Sequence, residues 1–160
     1  MAMGAQHEYR SRLTWEGNQG NGTSSYQSYS RQWRVCIDGK PDLVGTADPT
    51  FRGEVDKYNP EELLVASLSS CHMLTYLALC ARNGISVLSY SDDPFGVMRT
   101  TSDGSGRFES VTLNPKVEIA DNGKQGLATE LHEKAHAFCL IANSVNFSVR
   151  HVAEVKERGK

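Results

Sequence analysis

Three groups of residues in this 160-residue chain have types and spacings that can do chemistry. The first is its four cysteines, Cys36, Cys71, Cys80 and Cys139. They are sparse, widely spaced and form no C-x-x-C pair. In a reducing compartment this leaves burial, catalysis or metal binding, not a disulfide scaffold, a zinc ribbon or a thioredoxin motif. Cys71 sits in a polar step, Ser69-Ser70-Cys71-His72, within an otherwise apolar run. A histidine beside a thiol can lower its pKa, although residues i and i+1 of a helix point to different faces. Cys139 ends a second helical stretch, ahead of a break at Asn143-Ser144. Two thiols in defined helical settings suit an attacking and a resolving cysteine. The plainer reading makes each a small buried hydrophobe. Cys36 and Cys80 read as strand and helix core positions.

The second group is His132-Glu133-Lys134-Ala135-His136. Read literally it is H-E-x-x-H, with two histidines at i and i+4 to bind zinc and a glutamate as base. Cys139, on the same face, could be a third ligand, and His151 and Glu154 are the later candidates. The plain alternative is a solvated helix face, since Glu, Lys, His and Ala are ordinary exposed-helix residues. The third group is charged: Asp48, Arg52, Glu54, Asp56, Lys57, Glu61 and Glu62. Most of these are expected to be surface. Arg52 in an irregular loop and Glu61 at a helix start could still form a charge-assisted pair near a thiol, and an arginine there stabilises a thiolate.

The element that must position these groups runs from Asn59 to Gly84, NPEELLVASLSSCHMLTYLALCARNG. Asn59 suits the N-cap, Pro60 the first helical position, and Glu61 and Glu62 the positive end of the dipole. Arg82 favours the last turn, and Asn83-Gly84 stops the helix. Leu64, Leu68, Cys71, Leu74 and Ala78 follow the spacing of one face, and Leu63, Met73, Leu77 and Cys80 cover much of the rest. The spacing therefore predicts a central helix buried on most sides. Before it, strands are expected over 7–15, 23–30 and 33–37, with a hairpin turn at Asp38-Gly39 and irregular chain over 45–58. After it come strands over 85–90, 95–101 and 107–119. Pro115 makes the last of these an edge strand or bends it, and a further turn is expected at Asp121-Asn122-Gly123. A helix over 127–138 presents Leu127, Leu131, Ala135 and Phe138 on one face, and 144–155 closes with a strand. Strands, helix, strands, helix, strand without βαβ alternation is α+β with mainly antiparallel sheets, read as one domain over 1–160.

Composition narrows the function. Seventeen Lys and Arg against nineteen Asp and Glu give a formal net charge of -2, which removes the electrostatic case for nucleic acid or an anionic membrane. Ser67, Ser69, Ser70, His72 and Thr75 interrupt the long helix, so no membrane span is expected. Met1 to Gln6 has neither a basic nor an apolar stretch of the kind a signal peptide needs, and a cytoplasmic protein is expected.

Two segments carry a resemblance to a known family. NPEELLVASLSSCHM resembles the helix bearing the peroxidatic cysteine in the OsmC and organic hydroperoxide resistance (Ohr) proteins, and AHAFCLIANSVNFSV resembles the segment around their second cysteine. The variant SSCHM and the lead-in ADPTFRGEVDKYNPEE look more like the broad OsmC-like branch. The resemblance implies an intertwined α+β homodimer with long helices at its centre and two sites at the subunit interface. It makes Cys71 the peroxidatic thiol, Cys139 the resolving thiol, Glu61 the catalytic glutamate and Arg52 its arginine, with Arg34 second. The implied activity is reduction of organic hydroperoxides, renewed by an external dithiol, with no metal, flavin or haem. Leu74, Met73, Leu77 and Phe138 could line a pocket for alkyl peroxides. The alternatives are a zinc hydrolase on His132, Glu133 and His136, or a non-enzymatic ligand-binding dimer with its cysteines merely buried. Glu61 and Cys71 are ten residues apart, about 15 Å of helical rise, so their meeting in one chain requires a break near Ser67–Ser70; otherwise the glutamate comes from the partner.

Overall fold

The computed structural model describes residues 5–120 and 123–159. Their elements are β1 (Arg12–Trp15), β2 (Trp33–Cys36), β3 (Leu43–Gly45), α1 (Pro60–Arg82), β4 (Val87–Asp92), β5 (Phe95–Thr100), β6 (Gly106–Leu113), β7 (Pro115–Ile119), α2 (Gln125–Phe138), β8 (Ser148–His151) and β9 (Glu154–Glu157). Short 3-10 turns lie at Pro49–Phe51 and Ala142–Ser144. The fold is α+β, as the order of elements predicts. The chain divides into two compact units, Met1–Leu63 and Leu64–Lys160.

The first unit is built on an antiparallel meander in the order β1-β2-β3. Trp33 pairs with Gly45 across β2 and β3, and its ring lies where a side chain on Gly45 would start. The absent Cβ lets the indole close over the strand while Trp33 Nε1 donates to the Thr46 carbonyl at 2.9 Å. The strand expected over 23–30 is a run of turns instead. Its serines bond within the run, Ser28 Oγ donating to the Ser25 carbonyl at 2.9 Å, and Arg31 lies over the rings of Tyr26 and Tyr29, 4.2 Å from each centroid. Only a bridge between Asn18 and Tyr29 remains of strand pairing there.

The second unit holds two mixed sheets, in the orders β4-β7-β9 and β5-β6-β8. β4–β7 and β5–β6 are antiparallel, whereas β6–β8 and β7–β9 are parallel. The single strand expected over 107–119 is two strands in different sheets. The chain changes sheet at Asn114, whose N–H donates to Asp92 Oδ1 at 2.6 Å. Pro115 then starts β7, a central strand, not an edge; a proline at the first residue of a strand withdraws no ladder donor that the sheet needs. The strand expected over 144–155 divides likewise into β8 and β9, crossing at Val152–Ala153. Of the turn expected at Asp121-Asn122-Gly123, the first two residues lie outside the described ones; Gly123 has φ 70°.

Helix α1 matches its predicted bounds, and its ends show why. Asn59 Oδ1 accepts the Glu62 N–H at 2.8 Å and Glu62 Oε2 accepts the Asn59 N–H at 3.1 Å, a reciprocal capping box. At the other end Ile85 N–H reaches the Cys80 carbonyl and Gly84 N–H, at φ 65°, that of Ala81. This 6→1 and 5→2 pair needs the left-handed glycine. The buried face differs from the predicted one. Leu68, His72, Tyr76, Leu79 and Cys80 are buried, while Ala66, Ser70, Leu74 and Ala78 are exposed. A helix apolar all round gives no contrast by which periodicity can choose a face, so the burial on most sides expected for it is limited to one face here. By length and composition α1 could cross a membrane, which the serines were expected to prevent. Its fully buried Leu68, His72, Tyr76 and Cys80 make it the core helix of this unit.

Two apolar clusters sit against α1. One joins Tyr76, Leu79 and Cys80 to Ile119, Val117, Val155 and the α2 residues Ala128, Leu131 and Ala135. The other joins Leu68 to Val111, Leu113 and flanking residues of β6, β8 and the turn after α2. On α2 the buried positions are Ala128, Leu131, His132 and Ala135. Leu127 and Phe138, predicted to face inward, are exposed, because the packed stripe is rotated by about one residue toward the histidine. Replacing Asn59→Ala removes one half of the capping box and is expected to cost about 0.5–2 kcal/mol, read as a lowered midpoint in urea unfolding with an unchanged slope.

Candidate active site

Helix α1 places Cys71 on the flank of its buried face, half-buried, with its carbonyl accepting a 2.9 Å hydrogen bond from Thr75 Oγ1. Cys139 is the C-cap of α2, where the backbone leaves the helix at ψ 110°. It is 1% exposed. The turn that follows, Ala142–Ser144, brings the Ala142 N–H to Cys139 Sγ at 3.4 Å. The two cysteines are neighbours: the Cys71 side chain lies close enough to bear on the Cys139 thiol. Burial, followed by this neighbouring thiol, pushes Cys139 up to about 11, against the opposing pull of the Ala142 N–H. A partly exposed thiol thus neighbours a buried thiol that stays protonated.

Beside the preceding turn of α1 a cleft of about 340 Å³ is lined by Ala66, Ser70, Met73, Tyr90 and Pro94. Ser69 Oγ donates to Asp92 Oδ2 at 2.5 Å at its edge. Of the four residues expected to line a peroxide pocket, Met73 borders this cleft, Leu77 packs on the apolar core, and Leu74 and Phe138 are exposed.

Arg52 and Glu61 belong to the first unit. The loop carrying Arg52 is closed at its base, where Thr46 N–H donates to the Tyr58 carbonyl at 2.9 Å and Gly45 bridges Tyr58. Within it Asp48 Oδ1 accepts the Thr50 N–H at 2.7 Å, and the Asp48 carbonyl accepts those of Phe51 and Gly53. Arg52 is the one non-glycine residue among those described with positive φ, at 68°. That conformation costs an arginine about 1–2 kcal/mol. Its guanidinium is exposed and makes no hydrogen bond or ion pair among the described residues. Arg34, the second choice, is committed elsewhere: it meets Glu16 at 2.6 Å and Asp42 at 3.3 Å on the β2 surface. Glu61 lies in the first turn of α1, with Oε2 buried and unpartnered. Helix α1 continues unbroken through Ser67–Ser70, so the interruption that would fold Glu61 back toward Cys71 is absent.

The H-E-x-x-H segment does not make a metal site. His132 is buried with Nδ1 3.0 Å from His72 Nε2, whereas Glu133 projects outward with its side chain 80% exposed. No three His, Cys, Asp or Glu side chains among the described residues converge to hold a metal ion. The sequence reading treated His72 and His132 as members of separate groups and missed that they pair. The 68/72/76 spacing on α1 and the 128/131/132/135 stripe on α2 carried that signal. Of the remaining cysteines, Cys80 is buried against Tyr76, and Cys36 lies half-buried on β2, its thiol raised by the Asp42 carboxylate.

The chain is similar to known proteins along most of its length. Residues 53–154 match the family model described as OsmC-like protein. The structure superposes on an OsmC-like protein of unknown function from Vibrio cholerae with a TM-score of 0.82, at 31% identity, covering 93% of this chain and 100% of that one. An uncharacterized protein of Bacillus subtilis, YmaD, is 23% identical over 98% of this chain and 99% of its own. An organic hydroperoxide resistance protein from Legionella pneumophila shares the fold at a TM-score of 0.67 and 19% identity, covering 96% of this chain and 99% of that one. With the family match spanning residues 53–154, nearly all of the second unit and the end of the first, the chain belongs to the OsmC-like protein family.

Proposed function

We propose that this protein is a cytoplasmic, thiol-dependent peroxidase that reduces organic hydroperoxides. The observation that carries this reading is the placing of a partly exposed Cys71 beside a buried Cys139 whose pKa is raised. The Cys71 thiolate attacks the distal oxygen of the hydroperoxide; the O–O bond breaks, the alkoxide leaves and takes a proton from solvent to become the alcohol, and the sulfur is oxidised to a sulfenic acid. The Cys139 thiol then displaces hydroxide from that sulfur, losing its proton, so that water leaves and a Cys71–Cys139 disulfide forms. An external dithiol reduces the disulfide. The high pKa of Cys139 suits a thiol that must not compete for peroxide and reacts only once a sulfenic acid stands beside it.

Arg52 and Glu61 are the groups proposed to stabilise the thiolate. Arg52 is held in a strained, loop-borne conformation with an uncommitted guanidinium, the kind of position where backbone strain accompanies function. The unpartnered Glu61 oxygen is an acceptor in want of a donor. Since α1 is continuous, the pair serving each Cys71 is assigned to the second subunit of a homodimer. The exposed Ala66, Ser70, Leu74 and Ala78 face of α1 is the seam proposed to pair with its copy, as small residues there let two helices approach closely.

Treating the reduced protein with one equivalent of cumene hydroperoxide is expected to remove two hydrogens by intact mass and to yield a linked Cys71–Cys139 peptide. Unchanged thiols in the presence of persisting peroxide would exclude the peroxidase and favour a ligand-binding dimer. With iodoacetamide at pH 8 in the native state, Cys139 is expected to react at least about tenfold more slowly than in the unfolded chain, because its thiolate fraction falls tenfold per unit of raised pKa. Placing a charge in the α1 seam, Leu74→Glu, should give a folded monomer on sedimentation that has lost most of its peroxidase activity; a fully active monomer would place Arg52 and Glu61 in the same chain as the thiol they serve.

A further inference from the structure

Leu68, His72 and Tyr76 occupy successive turns of one α1 face, and all three are fully buried. Leu68 belongs to one apolar cluster and Tyr76 to the other, so His72 is the polar rung between them. Its Nε2 faces His132 Nδ1 of α2 at 3.0 Å, the two rings being 7° from parallel. The His132 ring also stacks on Tyr76, with centroids 3.8 Å apart. From β8, His151 approaches the His72 and His132 rings at 5.4 and 5.9 Å, and His136 lies 5.7 Å from His151.

The protonation this arrangement permits follows from its hydrogen bond. One imidazole donates and the other accepts, so a doubly protonated pair cannot form it. The outward nitrogens, His72 Nδ1 and His132 Nε2, are buried with no partner, as is His136 Nδ1. A proton taken up there would be a buried cation lacking both acceptor and counter-ion. Tyr76 and Tyr90, the other titratable groups packed alongside, have buried unpartnered hydroxyls and are held neutral by that burial. Two carboxylates bear on the surroundings: Glu133, exposed and 3.5 Å from His151 Nε2, and Asp92, which acts on Tyr90. Burial first, then the neighbouring histidines, lower His72 to about 4 and His132 to about 3.

Both thiols lie close to this pair along the chain. Cys71 immediately precedes His72, and the Cys139 N–H donates to the His136 carbonyl at 3.2 Å, one turn beyond His132. We propose that His72 and His132 are positioning residues for the thiol pair: their neutral contact sets the register of α2 on α1 that holds Cys139 beside Cys71, and acid releases it while the sheets stay folded. This rests on the reading of Cys71 and Cys139 as a working pair. The sign follows from linkage. Exposed histidine titrates near 6.5, and the packed pair titrates lower, so any opened form takes up protons first. The clamp is intact above that value and weakens continuously as pH falls from about 6.5 toward 4.

The test uses full-length Cys71→Ser protein, so that no exchange with Cys71 intervenes. Modification of Cys139 by 4,4′-dithiodipyridine, which reacts in acid, is followed by peptide mapping, and the rate is divided by that of the unfolded chain at the same pH. The protection of Cys139 is expected to fall at least about tenfold between pH 7 and pH 4.5, with the far-ultraviolet circular dichroism unchanged. His132→Asn, whose amide oxygen can stand in for Nδ1 without titrating, should flatten the profile. Constant protection in the unsubstituted clamp, or an undiminished pH dependence in a folded His132→Asn, overturns the proposal. Should that variant not fold, the imidazole resonances of His72 and His132 decide. Their titration must coincide with the loss of protection, and a separate midpoint overturns the assignment. None of these readouts involves peroxide, so a failed peroxidase reading would leave them unchanged and show only in the mass experiment.

Discussion

The second unit depends on how one helix face serves two sheets. Leu68 is buried against β6 and β8, Tyr76 against β4, β7, β9 and α2, and both contacts hold only if the intervening turn, His72, is buried too. A wholly apolar side chain there would have merged the two clusters into one core. An imidazole instead demands a partner, and His132 is the group that meets the demand. The hydrogen bond fixes α2 along and around α1 more narrowly than apolar contact does, since it is directional and burial is not. Cys139, as the cap of α2, inherits that placement.

The contrast between the thiols comes from secondary structure more than from charged neighbours. Cys71 lies on the flank of a helix buried on one side, while Cys139 sits where α2 ends and the chain folds back over it. The tight turn after it both covers the sulfur and supplies the Ala142 N–H. One environment leaves a thiol accessible and the other keeps its neighbour protonated.

Much of this was legible in the sequence. Asn59, Pro60 and Glu62 before an apolar run, and Asn83-Gly84 after it, define α1 to the residue, because caps are local chemistry. The two cysteines that the structure brings near one another stand in the two segments that carry the family resemblance. The face of α1 was not, since Leu64, Leu74 and Leu77 are as apolar as Leu68 and only tertiary contacts distinguish them. The division of 107–119 was hidden because Asn114-Pro115 reads as a bend within one strand; which sheet each half joins is decided by pairing with β8 and β9, far along the chain. H-E-x-x-H misled for a related reason: spacing puts His132 and His136 on one face of α2 but does not say that His72 waits opposite.

The strand pattern bears on how the unit forms. β6 and β8 pair in parallel with Ser110 beside Ser148, and β7 and β9 with Lys116 beside Glu154. No hairpin can make such pairs; the intervening loop, α2 included, must close before they yield any stabilisation. Topologies ruled by distant pairings fold slowly for this reason. The segment being closed contains Cys139, and the turn that covers it packs through Ile141 and Ala142 onto the cluster with Val149 of β8. Helices α1 and α2 can therefore exist, each correctly coiled, before their sulfurs are neighbours. The meeting of the two thiols waits on the closing of a long loop, and not on the coiling of either helix.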